Sequence, residues 1–342
     1  MGPAFSQPGN GDDEEIPTPL PPYFHPLHLS NGRPPPIAPP WAPTSTSIDS
    51  SEPQPTAHLI HFPTSPLSAS YTTQLALIID HLFTPAECAA LISLAESTGP
   101  WVPAEVDGRV AVNYRNSARI MRKDERAGEW IYERLGPWMR ELGVEVLYEP
   151  RGEEGEEKEE GRRREGGEKK FGHIVPRGVR LGLARRNKMA AESGLGKGKG
   201  KGELEDQEEI VRWDMCRVNP LLRFLKYGPG QFFHRHCDGH FLTSDLPDWD
   251  SSQPLEKSWI TIQIYLSSTG LAGGATSFWG RSGKDYTTKI DVEARQGRVL
   301  IFQQRDLIHT GEKVRGGEKI TIRSEFMFRK VVEKKKEEEG GR

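Results

Sequence analysis

Cysteine is scarce in this chain. Cys88, Cys216 and Cys237 are the three in 342 residues, too few and too irregularly spaced for a disulfide framework or a zinc module. A reducing compartment, cytoplasmic or nuclear, is the expectation. Long apolar runs are missing too. No stretch approaches the roughly 18 uninterrupted apolar residues of a spanning helix, so no membrane partner is expected. The first thirty residues show no basic start followed by an apolar segment, so no secretory leader is read there. The net charge is only −3, which gives no global field to draw nucleic acid or a lipid surface. Hydrophobic residues make up 35% of the chain, low for a sequence that folds throughout. The apolar content must therefore be concentrated in part of it.

Proline and charge mark the remainder. Residues 1–66 hold 17 of the 27 prolines, in runs such as PLPPYFHPLH and GRPPPIAPP. Such a segment favours extended polyproline conformations and buries little, so 1–66 is read as a disordered proline-rich tail. Residues 151–170 contain eight glutamates, seven basic residues and five glycines. No apolar periodicity returns before about 210, and 148–209 is read as a disordered charged insertion. Its interleaved charges cancel most of the pull of RRR at 162–164 on nucleic acid. Residues 331–342 form a charged C-terminal tail. The folded domain is placed at 67–330, interrupted by the insertion.

Within that domain the hydrophobic period changes once. LALIID reads as a buried strand. Thr84-Pro85-Ala86-Glu87 then opens a helix, with Thr84 as N-cap, Pro85 at the first helical position and Glu87 closing a capping box. A second helix follows, with Ala127, Trp130, Ile131, Leu135, Trp138 and Leu142 at three- and four-residue steps; these are read as core. From 211 to 330 the runs MCRVNPLLRFLKY, QFFHRHCD, SWITIQIYLSS, GATSFWG, TTKIDVEA, GRVLIFQQ and KITIRSEFMFRK are short, rich in Ile, Val, Phe and Thr, and bounded by turn residues. Helices followed by many short strands predict an α+β fold built on a sandwich or barrel.

The stretch YGPGQFFHRHCDGH at 227–240 raises the question of a metal. In a strand, residues two apart share a face, so His236 and Asp238 project together. His234 and His240 fall on the same face; the first is read as structural and the second as lining the entrance. His309, past the strand GRVLIFQQ, can complete the set. Two histidines and one carboxylate on one side of an octahedron suit non-haem Fe(II), with positions left open. The same set also suits zinc. KITIRSEF adds Lys319 and Arg323 on one strand face. A cation there suits an anionic co-substrate, and Arg323 offers a two-point match to a carboxylate that Lys319 cannot.

The order of these pieces resembles the 2-oxoglutarate- and Fe(II)-dependent dioxygenases, in particular the prolyl 4-hydroxylase-like group. The matching residues are Tyr227, Gly230, Phe233, His236 and Asp238; then Ile264-Tyr265-Leu266-Ser267; then Gly273, Gly274, Thr276 and Phe278; and last His309, Val314, Gly317 and Lys319. The opening LALIIDHLFTPAECAALI is also of the family's kind, and the resemblance spans about 74–147 and 211–330. It implies a double-stranded β-helix, a jelly-roll or cupin-like barrel, with supporting N-terminal helices and disordered tails. It implies Fe(II) held by His236, Asp238 and His309. The far carboxylate of 2-oxoglutarate would meet Lys319, with Arg323 as the competing cation and Tyr227, Tyr265 and Thr276 as hydroxyl partners. The activity implied is hydroxylation of a protein side chain, prolyl or other, or of a small molecule. O2 and 2-oxoglutarate would be consumed, succinate and CO2 released, and ascorbate would serve as an accessory reductant. The alternative is a non-catalytic or zinc-binding jelly roll acting as an interaction module.

Overall fold

The computed structural model describes residues 20–32, 38–41, 53–105, 108–150, 210–268, 270–281 and 283–331. In chain order the elements are β1 (Phe24–Leu27), β2 (Thr56–Ile60), β3 (Ala76–Asp80), α1 (Pro85–Glu96), β4 (Val102–Pro103), β5 (Arg115–Asn116), β6 (Ala118–Lys123), α2 (Glu125–Leu142) and β7 (Val146–Pro150). There follow β8 (Ile210–Val218), β9 (Leu221–Tyr227), β10 (Phe232–His236), β11 (Glu256–Ser267), β12 (Ala272–Gly273), β13 (Thr276–Trp279), β14 (Lys289–Val292), β15 (Val299–Gln303), β16 (His309–Gly311), β17 (Val314–Gly316) and β18 (Lys319–Val331).

The larger sheet runs β1-β2-β3-β15-β11-β18-β9-β6-β4, with β8 also paired to β18 and β7 to β8. A five-stranded sheet, β14-β13-β16-β10-β5, faces it, and β12 pairs with β17. All the pairings are antiparallel. This is the jelly-roll barrel expected of the double-stranded β-helix, with both helices on its outer face. Antiparallel strands with a core on each side explain the near-continuous apolar runs. Leu77 and Ile79 of β3, Ile262 and Ile264 of β11 and Val299 and Ile301 of β15 pack outward, against the helices. Ile78, Tyr265, Leu300 and Phe302 alternate with them and pack between the sheets.

Both helices begin where the sequence places them. The Thr84 side chain accepts from the Glu87 N–H and Glu87 accepts from the Thr84 N–H. Glu87 also pairs with Arg134 of α2, which ties one helix to the other. Asp124 caps α2 by accepting from the Ala127 N–H at 3.0 Å. Gly143, with φ 66°, ends it in the left-handed conformation that favours glycine. Trp130 is buried edge-on to Phe83 at 5.1 Å, and the helix presses its apolar stripe onto the larger sheet.

The proline-rich tail needs correction. Part of 1–66 belongs to the sheet: β2 pairs with β3 from Thr56–Asp80 to Leu59–Leu77, and β1 pairs with β2. Ile60 and Phe62 are buried between the sheets. The prolines fall mostly outside these strands, and Pro26 lies on the edge strand β1, where a missing N–H is tolerated. The charged insertion begins later than expected, because β7 runs to Pro150 and pairs with β8. Residues 151–209 and 332–342 lie outside the described residues. Among the described residues no helix is long and apolar enough to cross a membrane.

Gly297 locks the start of β15 to the α1 approach. Its φ is 79°; its N–H donates to the Tyr265 carbonyl, and its own carbonyl accepts from the N–H groups of Leu82 and Phe83. A Cβ here would lie 2.1 Å from the Phe83 carbonyl oxygen. Gly297→Ala is therefore expected to cost about 2–3 kcal/mol, a fall of roughly 4–12 °C in melting temperature for a domain of this size. Gly283→Ala, also at positive φ but with open space around its Cβ, should cost less than half as much. Circular-dichroism melts compare the two, and a Gly297→Ala variant that melts with the parent contradicts the packing described.

Candidate metal and co-substrate site

The site lies between the two sheets, and the strand register builds it. In the ladder between β10 and β16, His236 stands directly opposite His309, with ring centroids 4.2 Å apart. The register of β10 shifts between Phe233 and His236, and the strand ends at His236. Asp238 lies just past it, 4% exposed, and His309 is as deeply buried. The Nε2 atoms of His236 and His309 lie 3.7 and 3.8 Å from the same Asp238 oxygen, Oδ1. Among the described residues these three form the group able to hold a metal ion, with ligand atoms within 4.8 Å of one another.

Protonation suits that task. His236 Nδ1 lies 2.7 Å from the His234 carbonyl and His309 Nδ1 lies 3.0 Å from the Leu307 carbonyl. Each Nδ1 therefore carries the proton and each Nε2 keeps its lone pair, the tautomer a metal requires. Burial, reinforced by His309, pushes the His236 imidazole well below its ordinary value, and burial lowers His309 as well. Both rings are neutral at neutral pH. Burial alone would raise the Asp238 carboxyl; opposing influences led by the Arg323 guanidinium outweigh it and hold the group well below the usual carboxylate range. Two neutral imidazoles and one carboxylate fit Fe(II) and leave coordination positions open. Phe233 stacks on His236 at 3.6 Å and Phe302 meets His309 edge-on at 4.7 Å, so both rings are fixed by packing.

The residues expected around a co-substrate fall into two groups, Lys319 with Tyr227 and Tyr265 with Thr276. Lys319 faces inward from β18, opposite Tyr227 of β9. It is 2% exposed, its Nζ donates to the Gly274 carbonyl at 2.6 Å, and it sits 4.7 Å from the centre of the Tyr227 ring. Burial drops its pKa to about 8. The Tyr265 hydroxyl and Gln263 Nε2 both donate to Thr276 Oγ1 at 2.8 Å, which leaves the Thr276 proton available to another acceptor. Burial raises the Tyr227 phenol, which keeps it a hydrogen-bond donor.

Three placements differ from the sequence reading. Arg323, the competing cation, is engaged with Asp238 on both carboxylate oxygens, at 2.9 and 3.1 Å. His234 does not share the His236 face: the register shift turns it outward, where it is exposed and its N–H donates to the Tyr114 carbonyl. His240 lies beyond the strand end and faces Gln304 at 3.3 Å, and burial takes its pKa down to about 3. Sequence reasoning missed Thr261, whose hydroxyl donates to Asp238 Oδ2 at 2.6 Å. Its inward alternation with Gln263 and Tyr265 on β11 was the available signal. It also missed Arg115, whose guanidinium lies 4.7 Å over the Phe233 ring.

Residues 222–326 match the family model described as the 2OG-Fe(II) oxygenase superfamily. The chain carries a 2OG-Fe(II) oxygenase domain. That family implies Fe(II) and 2-oxoglutarate, and the donor set at His236, Asp238 and His309 fits the metal. Among solved structures, the chain is similar to a Pseudomonas putida prolyl-4-hydroxylase, with 16% identity over 73% of this chain and 91% of that one and a TM-score of 0.38. A viral collagen prolyl hydroxylase from Paramecium Bursaria Chlorella virus-1 is also 16% identical, over 74% and 95%, with a TM-score of 0.34. A Trichoplax adhaerens prolyl hydroxylase, in complex with a hypoxia inducible factor oxygen degradation domain peptide fragment, is 12% identical over 73% and 82%, with a TM-score of 0.34. No curated protein matches this oxygenase.

The Thr261 bond sets the plane of the Asp238 carboxylate. Losing a partner of a metal ligand typically costs 10–100-fold in metal affinity. Thr261→Val should weaken Mn(II) binding by about tenfold or more, read by calorimetric titration, while melting within a few degrees of the parent. Unchanged affinity would show that Thr261 does not orient the ligand.

Proposed function

We propose that this oxygenase is a hydroxylase that converts a C–H bond of its substrate to C–OH. One molecule each of O2 and 2-oxoglutarate is consumed, one oxygen atom going to the product and the other to succinate as CO2 is released. His236, Asp238 and His309 would hold Fe(II). The iron, when bound, supplies O2 activation, as cofactors do for chemistry that side chains cannot perform. The protein's part is to bind, orient and shield.

The observation that carries this reading is a buried cation beside an open triad. Lys319 is almost fully buried with a neutral carbonyl as its hydrogen-bond partner; Glu312 offsets only part of the burial, and burying an ammonium without a paired anion is costly. The far carboxylate of 2-oxoglutarate would meet that need. Tyr227 and the free proton of Thr276 stand ready as donors to it. A zinc hydrolase has no use for such a cation, which disfavours the zinc alternative, and an inert interaction module would have no reason to keep it buried. The side chains Phe233 and Phe302, packed on the ligand histidines, keep those rings from turning.

A prolyl or other protein side chain is the first substrate class to test, on the strength of the residue pattern from Tyr227 to Lys319. The experiment is a succinate-release screen of the Fe(II)-loaded chain with peptide and metabolite pools, with and without ascorbate. Substrate-dependent succinate together with a product 16 mass units heavier supports hydroxylation, where 16 is roughly the mass of one inserted oxygen atom. Succinate that no pool stimulates, with no oxygenated product, contradicts it.

Lys319 also gives the site a pH signature. Its pKa of about 8 must rise when a carboxylate binds beside it, so binding takes up a proton above that pH. Affinity for 2-oxoglutarate should be flat below about pH 7.5 and fall as pH climbs through 8. Lys319→Ala removes one member of a charge-assisted pair, worth about 2–5 kcal/mol, and should weaken 2-oxoglutarate by roughly thirtyfold or more, without the pH-dependent fall. Anaerobic titration with Mn(II) present reads both. A pH-independent affinity in the parent protein removes Lys319 from the co-substrate's contacts.

A further inference from the structure

The Asp238 carboxylate is held from two sides in a way that a metal ion must disturb. Oδ2 accepts from Thr261 Oγ1 at 2.6 Å and from Arg323 Nε at 3.1 Å. Oδ1 accepts from Arg323 Nη2 at 2.9 Å. Oδ1 is also the oxygen that faces both histidine Nε2 atoms, at 3.7 and 3.8 Å. The guanidinium and a metal seated in the triad therefore draw on the same oxygen.

Among the described residues, Asp238 is the carboxylate at ion-pair distance from Arg323. It lies in β18 between Gln263 of β11 and Arg223 of β9. The nearest acid along its own strand face, Glu325, is taken up by Arg223 at 2.8 Å and by Asn219 at 2.6 Å. The Arg323–Asp238 pair is neutral by itself, so the metal-free barrel carries no uncompensated charge among the ligands. A divalent ion seated beside that pair brings the local charge to +2, and the carboxylate that 2-oxoglutarate would place at the metal lowers it to +1, the other carboxylate being met by Lys319.

We propose that Arg323 is a positioning residue that stands in for the metal: it neutralises and orients Asp238 in the metal-free protein, opposes metal loading, and makes tight metal binding depend on the dianionic co-substrate. The fork of Arg323 engages both carboxylate oxygens, including the one that faces the histidines. An ion held by the triad would compete with Nη2 for Oδ1, and Oδ2 would still have Nε and Thr261 as partners. This rests on the reading of the triad as a metal site. It differs from a purely structural ion pair in one respect: the arginine and the metal must be coupled with opposite sign, and such coupling is reciprocal.

Mn(II) and melting temperature give the test without turnover. In Arg323→Gln, the metal-free protein should melt below the parent, because a buried carboxylate has lost its cation. Mn(II) should then raise its melting temperature by more than it raises the parent's, since a ligand stabilises in proportion to its affinity for the folded state. Mn(II) affinity without 2-oxoglutarate should be tighter than in the parent by on the order of tenfold, and the gain in Mn(II) affinity on adding 2-oxoglutarate should shrink. Arg323→Lys keeps the charge and loses the fork, so it should fall between the two; if Arg323→Gln does not fold without metal, the Arg323→Lys comparison decides. Equal falls in melting temperature with and without Mn(II), or Mn(II) affinity unchanged or weaker in both variants, overturn the proposal. Failure of the parent itself to bind Mn(II) sinks the metal site and the proposal together.

Discussion

A carboxylate buried inside a β-barrel is the constraint around which the rest of this molecule is arranged. Asp238 cannot stay ionised there without partners. Thr261 and Arg323 supply them from two strands, and the histidines crowd its free side. That single group explains the inward Thr261 of β11 and Arg323 of β18. Gln263, Thr261, Arg323, Glu325 and Arg223 form a line of satisfied polar contacts where apolar packing would otherwise run. The larger apolar core lies outward, between the sheet and its two helices, and a smaller one around Phe278 and Phe302 runs up to His309 between the sheets.

The same arrangement divides the interior into two electrostatic regions. Around Asp238 the charges are paired within the protein. Around Lys319 the compensation is weaker: the buried ammonium rests on the Gly274 carbonyl and the Tyr227 ring, and Glu312 offsets only part of the cost of its burial. A ligand bearing two carboxylates could bridge the regions, one end at the open metal positions and the other at Lys319. The strand register enforces the spacing, because Lys319 and Arg323 lie two inward positions apart on β18. Neither cation can take the other's place without a shift of the whole strand.

Much of this was legible in the sequence, because it depends on local spacing. The capping box at Thr84 and Glu87, the helical stripe from Ala127 to Trp138 and the alternation of KITIRSEF each have one physical reading, and the structure follows them. His236 and Asp238 could be paired by their two-residue spacing, and His309 by its place after a buried strand. What depends on tertiary register could not be read. The shift in β10 that turns His234 outward is invisible in QFFHRHCD. The pairing of Arg323 with Asp238 joins residues far apart in the chain, so spacing suggested a ligand contact where the fold supplies an internal one. The strands at Phe24–Leu27 and Thr56–Ile60 were hidden by the prolines around them; they form because a neighbouring strand offers pairing that composition does not record.

The account stands on one claim, that the triad and Lys319 form a single site in which metal and 2-oxoglutarate bind together. The most direct measurement is the affinity of 2-oxoglutarate, without oxygen, in the presence and absence of Mn(II), for the parent and for His309→Ala. The account predicts tight binding only when Mn(II) is present in the parent, and weak, metal-independent binding in the variant. Equal affinity with and without the metal in the parent would contradict it.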